Sequence, residues 1–206
     1  MRQIVLALLL LATPALSGPA LAGVEPSRLT EAARSQVGVT VTYDPAYISL
    51  AFPGGDLPRD RGVCTDVVIR ALRDGLGIDL QLAVNRDMKA NFSAYPSLWG
   101  LSTTDRNIDH RRVPNLQTLL TRIGAGLPLT DAPTPYLPGD IVTWTLPGNL
   151  AHIGIVSDRL GKDGTPLILH NIGAGTAEED ILFTYPMTGH YRLSAEAVER
   201  LKSLAQ

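Results

Sequence analysis

One cysteine and two histidines carry the reactive chemistry of this chain. Cys64 is the only cysteine. It stands in the run Gly62-Val63-Cys64-Thr65-Asp66-Val67-Val68-Ile69-Arg70-Ala71-Leu72. Val67, Val68, Ala71 and Leu72 recur at helical spacing, so a helix begins at or beside the cysteine. The unpaired N–H groups and positive dipole end of a helix N-terminus favour the thiolate, which is the attacking species in cysteine catalysis. The competing reading is a small buried residue that happens to be a thiol. A catalytic thiolate needs an imidazole to take and return a proton, and a third group to fix that imidazole's tautomer. His152 and His170 fall on two later strand-like runs, where adjacent antiparallel strands can make them neighbours. Asn171, beside His170 on the opposite strand face, is a second candidate for the orienting group.

The elements that would hold these residues follow from punctuation and periodicity. Pro26 to Val37 reads as a helix with Ser27 as its cap and Gly38 as its stop, and Val39 to Tyr43 as a short strand or extended link. The Cys64 helix runs to about Asp74-Gly75, and another covers Leu80 to Lys89. Asn91 to Pro114 is a long irregular stretch, followed by a helix from Leu116 to Ile123 capped by Asn115. Strands are expected at Ile141–Thr145, Ala151–Asp158, Leu167–Ile172, Ile181–Thr184 and His190–Leu193, and a closing helix at Ala195–Leu204 capped by Ser194. Helices first and an antiparallel meander after them make an α+β layout.

Composition sets the outer bounds. The chain has 206 residues, 45% hydrophobic and 18% charged, which suits one domain with a sizeable core. Its start, Met1-Arg2-Gln3, precedes an apolar run from Ile4 to Ala12, then Pro14, Gly18, Pro19 and the small-x-small run Ala20-Leu21-Ala22. This is the pattern of a secretory signal peptide over 1–22, with residues 23–206 as a single exported domain in the periplasm or outside the cell. The apolar run is too short to span a bilayer. Gly23 rather than cysteine follows the cleavage site, which excludes a lipid anchor at a new N-terminal cysteine. Without Arg2 the 18 basic residues become 17 against 20 acidic ones, and no basic block stands out, so nucleic acid is not an expected partner. A lone unpaired thiol in an oxidising compartment is a liability, which leans slightly toward its use.

The order of these elements resembles the NlpC-type cysteine peptidases, secreted cell-wall hydrolases with a papain-like core. Val63-Cys64-Thr65-Asp66 stands where that family opens a helix with its cysteine. Gly139-Asp140-Ile141-Val142-Thr143-Trp144 matches its following strand, His152-Ile153-Gly154-Ile155-Val156 its His-Val-Gly-Ile strand, and Leu169-His170-Asn171 its next histidine. Val63 and Thr65-Asp66 depart from the usual Asp-Cys-Ser-Gly, and the stretch at about 91–114 is an insertion. The runs Gly62 to Val67 and Asn107-Ile108-Asp109-His110-Arg111-Arg112 look like signatures of an exported bacterial family of unknown function.

The resemblance implies a papain-like (NlpC-type) fold, with N-terminal helices packed on an antiparallel β-meander. It also implies Cys64 as nucleophile, His152 as base and acid, and His170 as the orienting residue. A tyrosine upstream of the cysteine often lines the site in those peptidases, and Tyr43 and Tyr47 are the candidates. Arg111 or Arg112 suits bidentate binding of a substrate carboxylate, with Asp109, His110, Tyr43, Asp66 and Trp99 beside it. Alternatively, Asp66 pairs with one of the arginines and holds the loop down. A single Asp-His pair does not make a zinc site, and no metal or cofactor is expected. The expected function is amide-bond hydrolysis in peptidoglycan stem peptides by a monomer. The alternatives are a non-catalytic module that binds wall fragments or a partner protein, and an amidase or acyltransferase with another substrate.

Overall fold

The computed structural model describes residues 26–132 and 135–206. The expected signal peptide lies outside the described residues. No described helix is long and apolar enough to cross a membrane.

Helix α1 (Pro26–Arg34) is followed by a two-stranded parallel ribbon, β1 (Thr42–Tyr43) with β2 (Arg61–Gly62). Next come α2 (Cys64–Leu76), α3 (Leu80–Ala90) and α4 (Val113–Arg122). Six strands follow: β3 (Gly126–Leu127), β4 (Ile141–Leu146), β5 (Leu150–Leu160), β6 (Pro166–Asn171), β7 (Thr176–Glu179) and β8 (Met187–Tyr191). They form an antiparallel sheet in the order β3-β8-β4-β5-β6-β7, and α5 (Ala195–Leu204) closes the chain. The α+β layout read from the sequence is the one observed.

Alternation along the strands divides the interior between two sheet faces. Ile141, Ile153, Ile155 and Leu169 pack with Val67, Val68, Ala71 and Leu72 of α2 and with the other helices. Val142, Trp144, Val156 and Ile168 pack on the opposite face with Tyr136 and Leu182. Helix α2 is buried on nearly every side from Cys64 to Leu72, which makes it the central helix rather than a surface one.

Several boundaries differ from the sequence expectation. Helix α1 ends at Arg34 and the chain turns until Gly38, whose φ of 77° suits glycine. Gly75 is not a stop, because α2 runs on to Leu76 and ends with left-handed Gly77. Asn115 is not a cap: α4 already begins at Val113, with Pro114 in its first turn, and the Asn115 amide donates to the Asp109 carbonyl. The stretch 91–112 is ordered, with 3₁₀ turns at Phe92–Ala94 and Asp109–Arg111. Ile181–Thr184 forms a turn rather than a strand, and the strand lies instead at Thr176–Glu179, pairing with β6.

Candidate functional site

The loop before Cys64 is fixed from three directions. Arg70, fully buried on α2, donates to Asp56, to Thr40 Oγ1 and to the carbonyls of Leu57, Pro58 and Arg61. The Gly62 carbonyl accepts from the Asp44 N–H at 3.1 Å and from Asn171 Nδ2 at 3.1 Å. A Cβ at Gly62 would lie 3.0 Å from Asp66 Cβ and 3.2 Å from Arg70 Nη1, so a side chain there would press on both anchors. Asn171 therefore holds the cysteine loop and does not orient His152.

Thr65 and Asp66, just after the cysteine, are held by a second set of contacts. Asp66, at the third helical position, accepts the Val63 N–H at 2.7 Å, so the carboxylate caps the helix from inside its first turn. The same carboxylate takes a two-pronged ion pair from Arg111, at 3.1 and 3.0 Å. Thr65 Oγ1 donates to the Arg111 carbonyl at 3.2 Å. The two signature runs thus form one buried joint, and Thr65-Asp66 is the half that the 91–112 segment requires.

Of the residues expected to bind substrate, Arg111, Asp66, Asp109 and His110 are buried, and Asp66 pairs with Arg111 as in the alternative reading. Arg111 and Asp66 face each other with side chains 2% and 3% exposed. Arg111 also donates to the carbonyls of Asp44 and Ala46. Asp109 accepts from the Asp105 N–H and from Arg112. His110 is buried without a partner for Nδ1, and burial lowers its pKa to about 3. Arg112, paired with Asp109, lies 4.0 Å over the ring of Trp99, which is 37% exposed. Tyr43 is also partly open. Its phenol is held above its ordinary pKa by burial first and by the nearby Cys64 second. Tyr47 hydrogen bonds outward with Asp105 and Asn107.

Cys64 occupies the first turn of α2, as expected, but not as a free thiolate. It is buried in the same core cluster as Ile153 and Ile155 of β5. Burial pushes the thiol's pKa up to about 12, and the neighbouring backbone N–H groups offset it only in part. The thiolate expected from the helix terminus is therefore a neutral thiol in this state.

Packing in the shared core cluster sets the first turn of α2 against strand β5 one residue beyond His152. His152 lies opposite Trp144, with ring centroids 5.8 Å apart, and its Nε2 is 3.0 Å from His170 Nδ1. Gly154 allows that approach: a Cβ there would stand 2.7 Å from Ile168 Cγ2 and 3.1 Å from His170 Cβ. Burial lowers the His152 pKa to about 3, and His170 is lowered by the same cause, so the imidazoles are neutral near pH 7. Among the described residues no direct hydrogen bond joins the thiol to His152. The sequence reading missed Glu179 of β7, whose Oε2 is 3.0 Å from His170 Nε2. An open cleft on α4, lined by Pro96, Pro114, Gln117, Arg122 and Tyr191 among others, includes none of the expected site residues.

The third histidine cluster is separate. His190 Nε2 donates to Asp140 at 2.6 Å, Arg192 grips the same carboxylate at 2.7 Å with two nitrogens, and Tyr136 stacks on the imidazole.

Comparisons with known proteins place most of the chain in one family. The model of a family described as a domain of unknown function (DUF1287) matches residues 30–193. The uncharacterized protein YijF of Escherichia coli (strain K12) is 56% identical over 164 residues, which cover 80% of this chain and 80% of YijF. A solved structure of NlpC1 from Trichomonas vaginalis is 17% identical, with a TM-score of 0.44. That match covers 86% of this chain and 46% of the NlpC1 chain, so this chain spans less than half of that protein.

Proposed function

The chain belongs to the DUF1287 family, and we propose that it is an exported thiol hydrolase that cleaves an amide bond in peptidoglycan stem peptides. In this reading residues 1–22 direct export to the periplasm or beyond. Residues 23–206 form one papain-like, NlpC-type domain that acts as a monomer. The observation that carries it is the packing of the Cys64 turn of α2 on the strand of His152, whose ring is hydrogen bonded to His170.

The chemistry follows from that arrangement. The thiol and imidazole rest as a neutral pair, and the proton moves as the sulfur attacks. His152 shares the sheet face of Trp144 while Cys64 packs with Ile153 on the other, so the reaction requires the imidazole to reach the sulfur around the start of β5 in the substrate complex. The S–H proton passes to His152 as sulfur bonds to the carbonyl carbon. N–H groups at the start of α2 stabilise the oxyanion. His152 then protonates the leaving amine, and water hydrolyses the acyl-enzyme. Trp99, Arg112 and Tyr43 are the partly open groups of the expected set for substrate contact.

Burial of the thiol favours a second reading, in which the same scaffold binds wall fragments or a partner without turnover. An amidase or acyltransferase acting elsewhere would use the same residues. Incubation of purified sacculi with wild-type and Cys64→Ala protein, read by mass spectrometry of the muropeptides, decides between turnover and binding. New cleaved stems with wild type alone are expected. Unchanged muropeptides with both proteins would favour the binding module, and equal cleavage by both would remove Cys64 from the reaction.

A further inference from the structure

We propose that Glu179 is a positioning residue that selects the productive tautomer of a three-member relay, Glu179–His170–His152. The inference rests on the reading of Cys64 and His152 as a thiol–imidazole pair. The relay is a product of sheet register. β5, β6 and β7 are consecutive, and His170 faces Ala177 while Ile168 faces Glu179, so Glu179 is the diagonal same-face neighbour of His170. Glu179 Oε2 lies 3.0 Å from His170 Nε2, and His170 Nδ1 lies 3.0 Å from His152 Nε2.

The proton positions then follow in sequence. A carboxylate can only accept, so the His170 proton sits on Nε2. Neutral His170 therefore presents a bare Nδ1, and the proton in the His170–His152 hydrogen bond must come from His152 Nε2. Neutral His152 is left with a lone pair on Nδ1, ready to receive a thiol proton. In the mirror arrangement His170 carries its proton on Nδ1 and donates to His152 Nε2. His152 then carries its own proton on Nδ1 and cannot act as a base there. Without a fixed acceptor at the end, both arrangements keep the His–His bond. Glu179 removes that ambiguity without touching the substrate.

The test is nitrogen-15 NMR of the imidazoles at neutral pH in the wild type, Glu179→Gln and Glu179→Ala, with hydrolysis followed alongside. The Glu179 side chain is half exposed and, among the described residues, its only side-chain hydrogen bond is to His170, so melting temperature serves as the folding control. Wild type should show both rings as the Nε2–H tautomer. Glu179→Ala should convert a measurable fraction of both rings to Nδ1–H and lower kcat about tenfold at constant KM, the scale of losing an outer partner of a functional imidazole. Glu179→Gln should restore the tautomers only in part, because its amide can accept through oxygen or donate through nitrogen. Unchanged tautomers in Glu179→Ala would overturn the proposal. A tautomer shift in a protein that hydrolyses nothing would leave the relay standing and remove the hydrolase reading.

Discussion

His152–His170 and His190–Asp140 lie in one sheet, yet they differ in how their hydrogen bonds end. At His190 every direction is closed. Asp140 is buried and accepts four bonds, from His190, twice from Arg192 and from the Leu137 N–H. That cluster ties the turn before β4 to β8, and no thiol stands beside it. At His152 the chain is open at both ends. One end is His152 Nδ1, which has no hydrogen-bond partner among the described residues, on the strand that packs against Cys64. The other is a half-exposed carboxylate. A histidine–carboxylate pair sealed by an arginine fixes structure, whereas one with a free nitrogen can pass a proton.

The contrast can be broken most directly by activity. His152→Ala should lower hydrolysis of sacculi at least about a thousandfold, in line with losing the base of a nucleophile–base pair. His190→Gln should leave the rate per folded molecule within about twofold. Comparable losses from both would erase the distinction.

Stability should show the reverse ranking. Asp140→Ala leaves Arg192 and His190 without their shared acceptor and should cost about 3 kcal/mol in urea unfolding, the scale of a broken buried ion pair. Glu179→Ala should lie within about 0.5 kcal/mol of wild type, as a partly exposed side chain does.

A third separation lies along the pH axis. Folded His152 has a pKa of about 3, while the unfolded chain's histidine protonates near 6.5. Below pH 6.5 the unfolded state therefore binds the extra proton. The stability due to neutral His152 is complete above 6.5 and is lost toward pH 3, by up to about 1.4 kcal/mol per pH unit. Asp140 has a lowered pKa because Arg192 and His190 outweigh its burial, so its contribution is lost only below the ordinary value of 3.8. Urea midpoints between pH 4 and 7 should flatten in His152→Gln and keep the wild-type slope in Asp140→Ala. An unchanged slope in His152→Gln would place the acid sensitivity elsewhere, with His110 the next residue to replace.

The parts legible in the sequence were those with a local period. The stripe of α2 and the alternation of β4, β5 and β6 could be read directly because each repeats a burial pattern within a few residues. Thr176-Ala177-Glu178-Glu179 has no such apolar alternation, and its strand exists because β6 supplies an edge. Glu179 gains its place only once that register is known. The Asp66–Arg111 pair was one of two readings of the arginines, and burial of both partners decides between them. The thiol shows the limit of a local argument. A helix terminus can be read from sequence, whereas desolvation comes from β5 and the rest of the fold closing over the sulfur.

Arg70 has a consequence for the order in which the cysteine loop can come apart. A guanidinium with no exposed surface has exchanged all its water for Asp56, Thr40 and three carbonyls between Leu57 and Arg61. Releasing one partner alone would strand a charge in a dry interior. The loop from 56 to 61 and the middle of α2 therefore open together or not at all. Amide hydrogens of the β1–β2 ribbon should exchange as one group with those of α2, despite the ribbon's position near the surface.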